Sequence, residues 1–76
     1  MNNFKRKRLN EAIELLEQAK VLIDEVKEEE QTSFDNLSEG LQQSEKGVKM
    51  EEAITLLEES VDSIDEILPK IQEAAE

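Results

Sequence analysis

The sequence predicts an all-α protein, an antiparallel hairpin of two long helices, because one amphipathic pattern occurs twice in 76 residues. Apolar residues in both copies return every three or four positions, the spacing of one helix face. Glu-Ala-Ile at 11–13 recurs at 52–54, Leu-Leu-Glu at 15–17 recurs at 56–58, and Ile-Asp-Glu at 23–25 recurs at 64–66. A short connection between the copies makes antiparallel packing the default.

Composition supports this fold class. Charged residues make up 38% of the chain and aromatic residues 3%, which is typical of coiled coils and long helices. Neither cysteine nor histidine occurs, which excludes disulfides, thiolate or imidazole zinc sites and histidine-assisted nucleophiles. A core of this size is marginal without such staples, so pairing with another chain is expected.

Net charge and hydropathy limit the partners. The net charge of −11 repels nucleic acid and anionic membranes, and no apolar run reaches the length of a membrane span. We therefore expect no direct nucleic-acid partner, no membrane partner and a cytoplasmic location.

The first helix is predicted over about residues 3–36, with Asn2 or Asn3 as its N-cap. Leu9 is assigned to heptad position a, and Ile13, Leu15 and Leu22 then flank the apolar seam. The a and d positions of this helix are Leu9, Ala12, Leu16, Ala19, Ile23 and Val26.

The connection is predicted as a loop over about residues 37–44, because Ser38 to Gly40 breaks the pattern and the glycine suits a left-handed turn. Ser44 suits the N-cap of the second helix, which is predicted over about residues 45–75 with a kink near Pro69. The a and d positions of this helix are Met50, Ala53, Leu57, Ser60, Ile64, Ile67, Ile71 and Ala74.

The wide apolar stripes predict an oligomer. A single seam between two helices would leave Ile13, Leu22, Ile54, Leu56 and Leu68 partly exposed to water. Pairing two hairpins into a four-helix bundle would bury these side chains, so we expect a homodimer. A different protein that covers the same face is the alternative.

The two copies disagree where Lys20-Val21-Leu22 aligns with Val61-Asp62-Ser63. Val21 and Leu22 are therefore candidate contacts to a partner, although an isolated exposed valine is common on protein surfaces.

The basic start of the chain, Lys5 to Arg8, is a second departure from the repeat. Cations at a helix N-terminus are unfavourable, so we expect Glu73, Glu76 and the exposed carbonyls at the end of the second helix to neutralise them.

Carboxylates occupy the outward positions of both helices, where they keep an apolar bundle soluble. Two such rows on rigid helices also resemble the regularly spaced charges of a nucleic acid and suit a basic groove on a nucleic-acid-handling protein. Glu58, Glu59 and Asp62 are the candidate contacts of this acidic surface. Both interpretations, solvated face and charge mimic, stay open.

No catalytic, cofactor-binding or metal-binding residue is predicted, and we expect a protein that is not an enzyme. The pairs Glu25 with Glu28 and Glu59 with Asp62 resemble the ExxE and ExxD pairs with which all-α nucleoside triphosphate pyrophosphatases hold Mg²⁺. These residues fall on the outward side of the predicted helices, and no set of nucleotide-binding side chains accompanies them. A Mg²⁺-dependent hydrolase is therefore a remote alternative.

The segment from Phe34 to Ile54, FDNLSEGLQQSEKGVKMEEAI, resembles the central signature of small acidic helical-hairpin proteins of phages and prophages. Those proteins typically carry an aromatic-Asp-Asn-Leu-Pro-Glu segment, then Leu-Gln, Ser-Glu, Gly and Met-Glu-Glu-Ala-Ile. Ser38 stands here where proline is usual, and Gly40 where a small polar residue is common. The resemblance implies a phage setting, in a family with no settled biochemical role.

Within this segment Asp35, Asn36 and Glu39 are candidate recognition residues at the hairpin tip, or else caps that shape the turn. Small acidic phage proteins often disable a host enzyme or a defence system. The resemblance therefore favours a protein-binding inhibitor or adaptor that acts on a host nucleic-acid-handling or defence protein. A purely structural assembly module, a homodimeric coiled-coil bundle, is the alternative.

Overall fold

The structure, a computed structural model that describes residues 1–76, consists of helices and their connections. Two long helices pack together, α1 over Asn3–Asp35 and α3 over Glu45–Ala74, and one turn of helix, α2 over Glu39–Gln42, lies between them. The molecule is a rod of 58 × 15 × 13 Å. The predicted all-α hairpin of two long helices is confirmed.

Side-chain caps define the ends of α1. The Asn2 side-chain oxygen accepts a hydrogen bond from the Lys5 amide at 2.8 Å, which satisfies one of the free amides of the first turn. At the other end the Asn36 amide donates to the Thr32 carbonyl at 3.1 Å. Asn2, and not Asn3, is therefore the N-cap.

The connection is more regular than the predicted loop, because it contains the single turn α2. Ser38 caps this turn by accepting from the Leu41 amide at 3.4 Å. No residue of the chain has a positive φ, so the left-handed conformation predicted for Gly40 is wrong. Gly40 instead lies inside α2. Because Ser38 caps the start of α2, the chain leaves α1 without needing a residue of positive φ.

The start of α3 packs against the connection. Ser44 caps α3 by accepting from the Gly47 amide at 3.4 Å. Gly47 is buried, and a Cβ atom at this position would overlap the Gln42 carbonyl group and the Leu41 carbonyl oxygen. The side chain of Gln42 also donates to the Phe34 carbonyl at 3.1 Å, which ties the connection to α1. Glycine is therefore needed for close approach.

Pro69 lies within α3, and the helix continues beyond it to Ala74. Its neighbour Leu68 is one of the three buried residues of the chain. The helix thus continues past Pro69 although proline has no backbone amide to donate, and the adjacent Leu68 side chain packs on α1.

Half-buried and buried residues recur with alternating steps of three and four residues on both helices, which is left-handed coiled-coil packing. The residues that follow this spacing, the seam residues, are 9, 13, 16, 20, 23, 27, 30 and 34 on α1 and 47, 50, 54, 57, 61, 64, 68, 71 and 75 on α3, and Ala12, Ala19, Asp24, Gln31 and Ala53 are half-buried beside them. The predicted a positions all lie in the seam. Of the predicted d positions, the three alanines at 12, 19 and 53 are half-buried, whereas Val26 and Ile67 are wrong, because they are exposed while Lys27 and Leu68 lie in the seam.

Side-chain size in α3 explains this shift. The observed seam uses Ile54, Val61 and Leu68, whereas the predicted one would use Ala53, Ser60 and Ile67 at the preceding positions. The observed choice buries more apolar surface on α3, and this gain outweighs the cost of half-burying lysines of α1.

The seam is thin. Ile13 and Leu68 are its only buried apolar side chains, each still 9% exposed. In the half of α1 nearer the connection, Lys20, Lys27 and Glu30 occupy seam positions. The hairpin therefore has a small core for two helices of this length.

We predict that Gly47→Ala destabilises the protein by about 1–3 kcal/mol, because the added methyl group meets main-chain atoms that have little room to shift. Gly40→Ala is the matched control, since a Cβ there meets nothing within 4 Å. It should stabilise the protein by about 0.5–1 kcal/mol through helix propensity. Urea unfolding followed by circular dichroism measures both changes, and equal effects of the two variants would contradict the packing at Gly47.

Candidate functional site

The residues on either side of the seam define two faces of the hairpin. One residue step rotates a helix by about 100°, so residues that immediately precede a seam residue lie on one side and those that follow it lie on the other. In an antiparallel pair, the residues that precede seam residues lie on the same side of the hairpin in both helices. Turning the second helix to face the first moves these residues to the opposite side, and reversing its chain direction moves them back. The hairpin therefore presents one face of preceding residues and an opposite face of following residues.

The face of preceding residues is apolar along its middle, and we call it the apolar face. Leu15, Leu22 and Leu56 are its most exposed members, at 61%, 62% and 62%. Small residues lie between these leucines and the seam. The apolar face consists of Ala12, Leu15, Ala19, Leu22 and Val26 on α1 and Ala53, Leu56, Ser60, Ser63 and Ile67 on α3.

Basic residues extend the apolar face at both ends, and acidic residues are nearly absent from it. Arg8, Lys46, Lys49 and Lys70 each precede a seam residue, whereas Glu29 is the only acidic residue that does so. The chain has 20 acidic residues, so their near absence here is a specific pattern. Exclusion of carboxylates is what a face buried against another protein requires.

The opposite side of the hairpin is acidic, and we call it the acidic face. It consists of Glu14, Glu17, Asp24 and Glu28 on α1 and Glu51, Glu58, Asp62 and Asp65 on α3, each directly after a seam residue. Lys20 extends from the seam to form an ion pair with Asp65 across the two helices. Lys27 contacts Asp24 at 3.2 Å and Glu28 at 3.7 Å. These lysines reduce the repulsion between the two rows of carboxylates.

The two seam lysines are held in their charged form. The hydrogen bond that Lys20 donates to Asp65 raises the pKa of Lys20 above its usual value of 10.5. The hydrogen bond that Lys27 donates to Asp24 likewise raises the pKa of Lys27, and partial desolvation opposes both shifts.

The basic start of α1 lies at the open end of the hairpin. The Arg6 guanidinium donates to the Asn3 side chain at 3.1 Å and to the Glu76 main-chain carbonyl at 3.4 Å. The Arg8 guanidinium lies over the Phe4 ring, 5.6 Å from its centre. None of the four basic residues forms an ion pair with the Glu73 or Glu76 side chain. Of the predicted neutralisation, the contact with an exposed main-chain carbonyl at the end of the second helix is therefore present, at Glu76, and the carboxylate contacts are absent.

A shallow cleft of about 500 Å³ continues the apolar face at this open end. Its wall contains Met1, Leu9, Ala12 and Leu15 together with Glu11 and basic side chains of the start of α1. The apolar face therefore extends along α1 from its first turn to Val26.

The eight predicted partner-binding residues are all exposed, and the structure divides them among separate places. Leu22 belongs to the apolar face, while Val21 lies on the other side of α1 in a depression with Glu14 and Glu17. Val21 and Leu22 therefore do not form one patch. Glu58 and Asp62 belong to the acidic face, Glu59 lies at the outer edge of α3, and Asp35, Asn36 and Glu39 lie at the hairpin tip.

The tip residues take part in building the turn. Asp35 accepts a hydrogen bond from the Gln31 side chain at 2.9 Å at the end of α1. Asn36 is the C-cap of α1, and Glu39 begins α2 with its carbonyl accepting from Gln43 at 3.3 Å. Their contacts are those of capping residues.

The pairs considered for Mg²⁺ binding do not converge. Glu25 and Glu59 occupy the outer edges of α1 and α3, and Glu28 and Asp62 lie on the acidic face. No group of three or more acidic side chains is close enough to hold a metal ion together.

Sequence reasoning expected Ile13 and Leu68 to stay partly exposed, which is wrong because both are buried in the seam, and it missed Leu15, Val26 and Ile67 as members of an exposed surface. Its heptad assignment placed Val26 and Ile67 in the seam. The signal that identifies the surface is the distribution of acidic residues, which follow seam residues often and precede them once. No helix of the structure combines the length and the apolar character needed to cross a bilayer.

Compared with known proteins, the chain matches no family model, no curated protein and no solved structure at a significant level. The fold and its two faces define the class of protein, a two-faced acidic helical hairpin.

We predict that the Lys20→Met variant loses less of its free energy of unfolding than the wild type does when the pH is raised into the alkaline range. Because the folded-state pKa of Lys20 is raised, its contribution is fully present below pH 10.5 and is lost as the pH rises above that value. The wild-type melting temperature should therefore fall more steeply above that pH than that of Lys20→Met.

Lys49→Met is the matched control, since Lys49 contacts only Glu45, at 3.4 Å, on the exposed surface of its own helix. This variant should follow the wild-type profile. Parallel alkaline profiles for wild type and Lys20→Met would contradict the role of the interhelical ion pair.

Proposed function

We propose that the protein is a non-enzymatic, acidic protein-binding module, formed by two hairpins paired as a four-helix bundle. In a phage setting it acts as an inhibitor or adaptor that engages a host nucleic-acid-handling or defence protein. The observation that carries this proposal is the separation of an apolar face from an acidic face on one rigid hairpin. An apolar face suits permanent association, and an acidic face suits a partner with a basic surface.

The acidic face supports recognition of a basic groove. Its eight carboxylates lie on two rigid helices, so little conformational entropy is lost when a partner binds. Residues of one helix face recur every three to four residues, or about 5 Å, which is comparable to the spacing of phosphates along a nucleic-acid strand. Such a surface competes with nucleic acid for a basic groove, with binding that is fast and salt-sensitive.

A structural assembly module is the second candidate, and the apolar face favours it. Exposed leucines on both helices suffice to hold two hairpins together without any further partner. In that case the acidic face serves only solubility. A Mg²⁺-dependent hydrolase has the least support, because Glu25 and Glu59 lie on the outer edges of the hairpin and not in a common cleft.

We predict that neutralising the acidic surface abolishes partner binding. The triple variant Glu58→Gln, Glu59→Gln and Asp62→Asn removes three exposed charges from the middle of α3 and leaves the apolar face intact. Tagged protein is used to capture partners from bacterial lysate at low salt, and the binding of each captured protein is then measured with purified components. Affinity for the true partner should fall at least tenfold in the triple variant and steeply with salt.

The control variant, Glu45→Gln, Glu73→Gln and Glu76→Gln, removes the same number of charges from the ends of α3. Its affinity should stay within about threefold of wild type, because it keeps the acidic face. Binding that is insensitive to salt and to the triple variant would contradict recognition through carboxylates. No captured partner at any salt concentration would favour the structural module.

A further inference from the structure

The apolar face is large, continuous and without an occupant in the single hairpin. Leu15, Leu22 and Val26 on α1 and Leu56 on α3 each expose more than half of their surface. The hairpin core is too thin to offset this exposure, since only two apolar side chains are buried and none is fully buried. The face therefore requires a cover.

The geometry of the face specifies a pair of helices as this cover. Its residues recur in steps of three and four, the spacing of a second coiled-coil seam, on both helices. Because each member precedes a seam residue, the second seam lies about 100° from the first around each helix. Helices at the corners of a four-helix bundle contact two neighbours at close to a right angle, so both helices already have the shape of bundle members.

The distribution of acidic residues favours a second copy of this chain as the protein that covers the apolar face. The acidic residues that dominate the rest of the surface would repel a second copy, and the apolar face is the one region that avoids them. A second copy is therefore able to approach through this face without burying rows of carboxylates.

Charge also selects the orientation of the second copy. The open end, residues 1–15 and 66–76, has five basic and five acidic residues, whereas the loop end, residues 25–52, has three basic and nine acidic residues. Two loop ends placed side by side would therefore repel each other, while a loop end beside an open end would not. Glu29, the one acidic residue of the apolar face, would then approach the basic start of α1, Lys5 to Arg8, of the other copy.

We propose that the occupant of the apolar face is a second copy of this chain, packed face to face with the two loops at opposite ends of the bundle. This inference specifies the interface of the proposed module and rests on that proposal for its biological use. The two acidic faces then lie on opposite outer sides of the dimer, free to bind a partner. The symmetry axis passes near the middle of α1, beside Ala19 and Leu22.

The first test compares two apolar-to-acidic variants that are neighbours in sequence. Leu22→Glu places a carboxylate in the interface, and Val21→Glu places the same group on the other side of the helix. Light scattering of the wild type and Val21→Glu should give twice the chain mass of 8.7 kDa. Leu22→Glu should weaken dimerisation at least a hundredfold, and its melting temperature should lose the dependence on concentration that the wild type shows.

The second test uses the absence of native cysteine and keeps the leucines in place. Ala19→Cys lies near the proposed axis and should form an intermolecular disulfide under mild oxidation, while Val21→Cys should not. For orientation, Gly40→Cys is labelled with a nitroxide, since a side chain there has open space. Pulsed electron paramagnetic resonance should give a label separation near the length of the rod, 58 Å.

The outcomes separate the inference from the proposed function. A monomeric wild type, dimerisation that survives Leu22→Glu, or dimerisation that is lost in Val21→Glu overturns the interface, even if the protein binds a basic partner. A label separation below about 30 Å overturns the orientation, because it places both loops at one end. A dimer that meets every expectation but binds no partner supports the interface and counts against the protein-binding function.

Discussion

A two-helix hairpin has a single seam, and this constraint governs the rest of the structure. Each helix carries more apolar surface than one seam covers, so packing must select which residues meet and which stay exposed. The selected seam buries the larger apolar side chains of α3, including Ile54, Val61 and Leu68, and draws Lys20 and Lys27 of α1 into half-buried positions. Burial of apolar area outweighs the restriction of two flexible lysines, whose charged groups still reach the surface.

The position of the seam assigns the residues beside it to one of two faces, while residues such as Glu25 and Glu59 stay on the outer edges of the helices. Residues before the seam residues form the apolar face, and residues after them form the acidic face, where Lys20 pairs with Asp65 and Lys27 with Asp24. The two faces have different physical uses, since desolvation favours the first as a permanent interface and long-range charge favours the second as a recognition surface. The proposed protein-binding role rests on this division rather than on any single residue.

Local features were largely predictable because neighbouring residues determine them. The helices, the capping role of Ser44 and the outward position of the carboxylates follow from short-range spacing and side-chain chemistry. The requirement for Gly47 was not predictable, because it comes from the close approach of the Gln42 main chain at the end of α2, which depends on how the connection folds against α3. The structure has a helical turn capped by Ser38 where a left-handed turn at Gly40 was expected. Both turns are local structures, and the residue types of this segment suit either one.

The sequence by itself determined an acidic, all-helical hairpin, because the repeated pattern and the breaking cluster are properties of the chain. Tertiary structure decided which of two adjacent stripes became the seam, since positions 26 and 27, like 67 and 68, both continue a spacing of three and four residues. The apolar area that each of the two stripes would bury depends on the partner helix, so it is determined only when the two helices pack together. This packing placed Leu68 inside and Ile67 outside, and so created the apolar face.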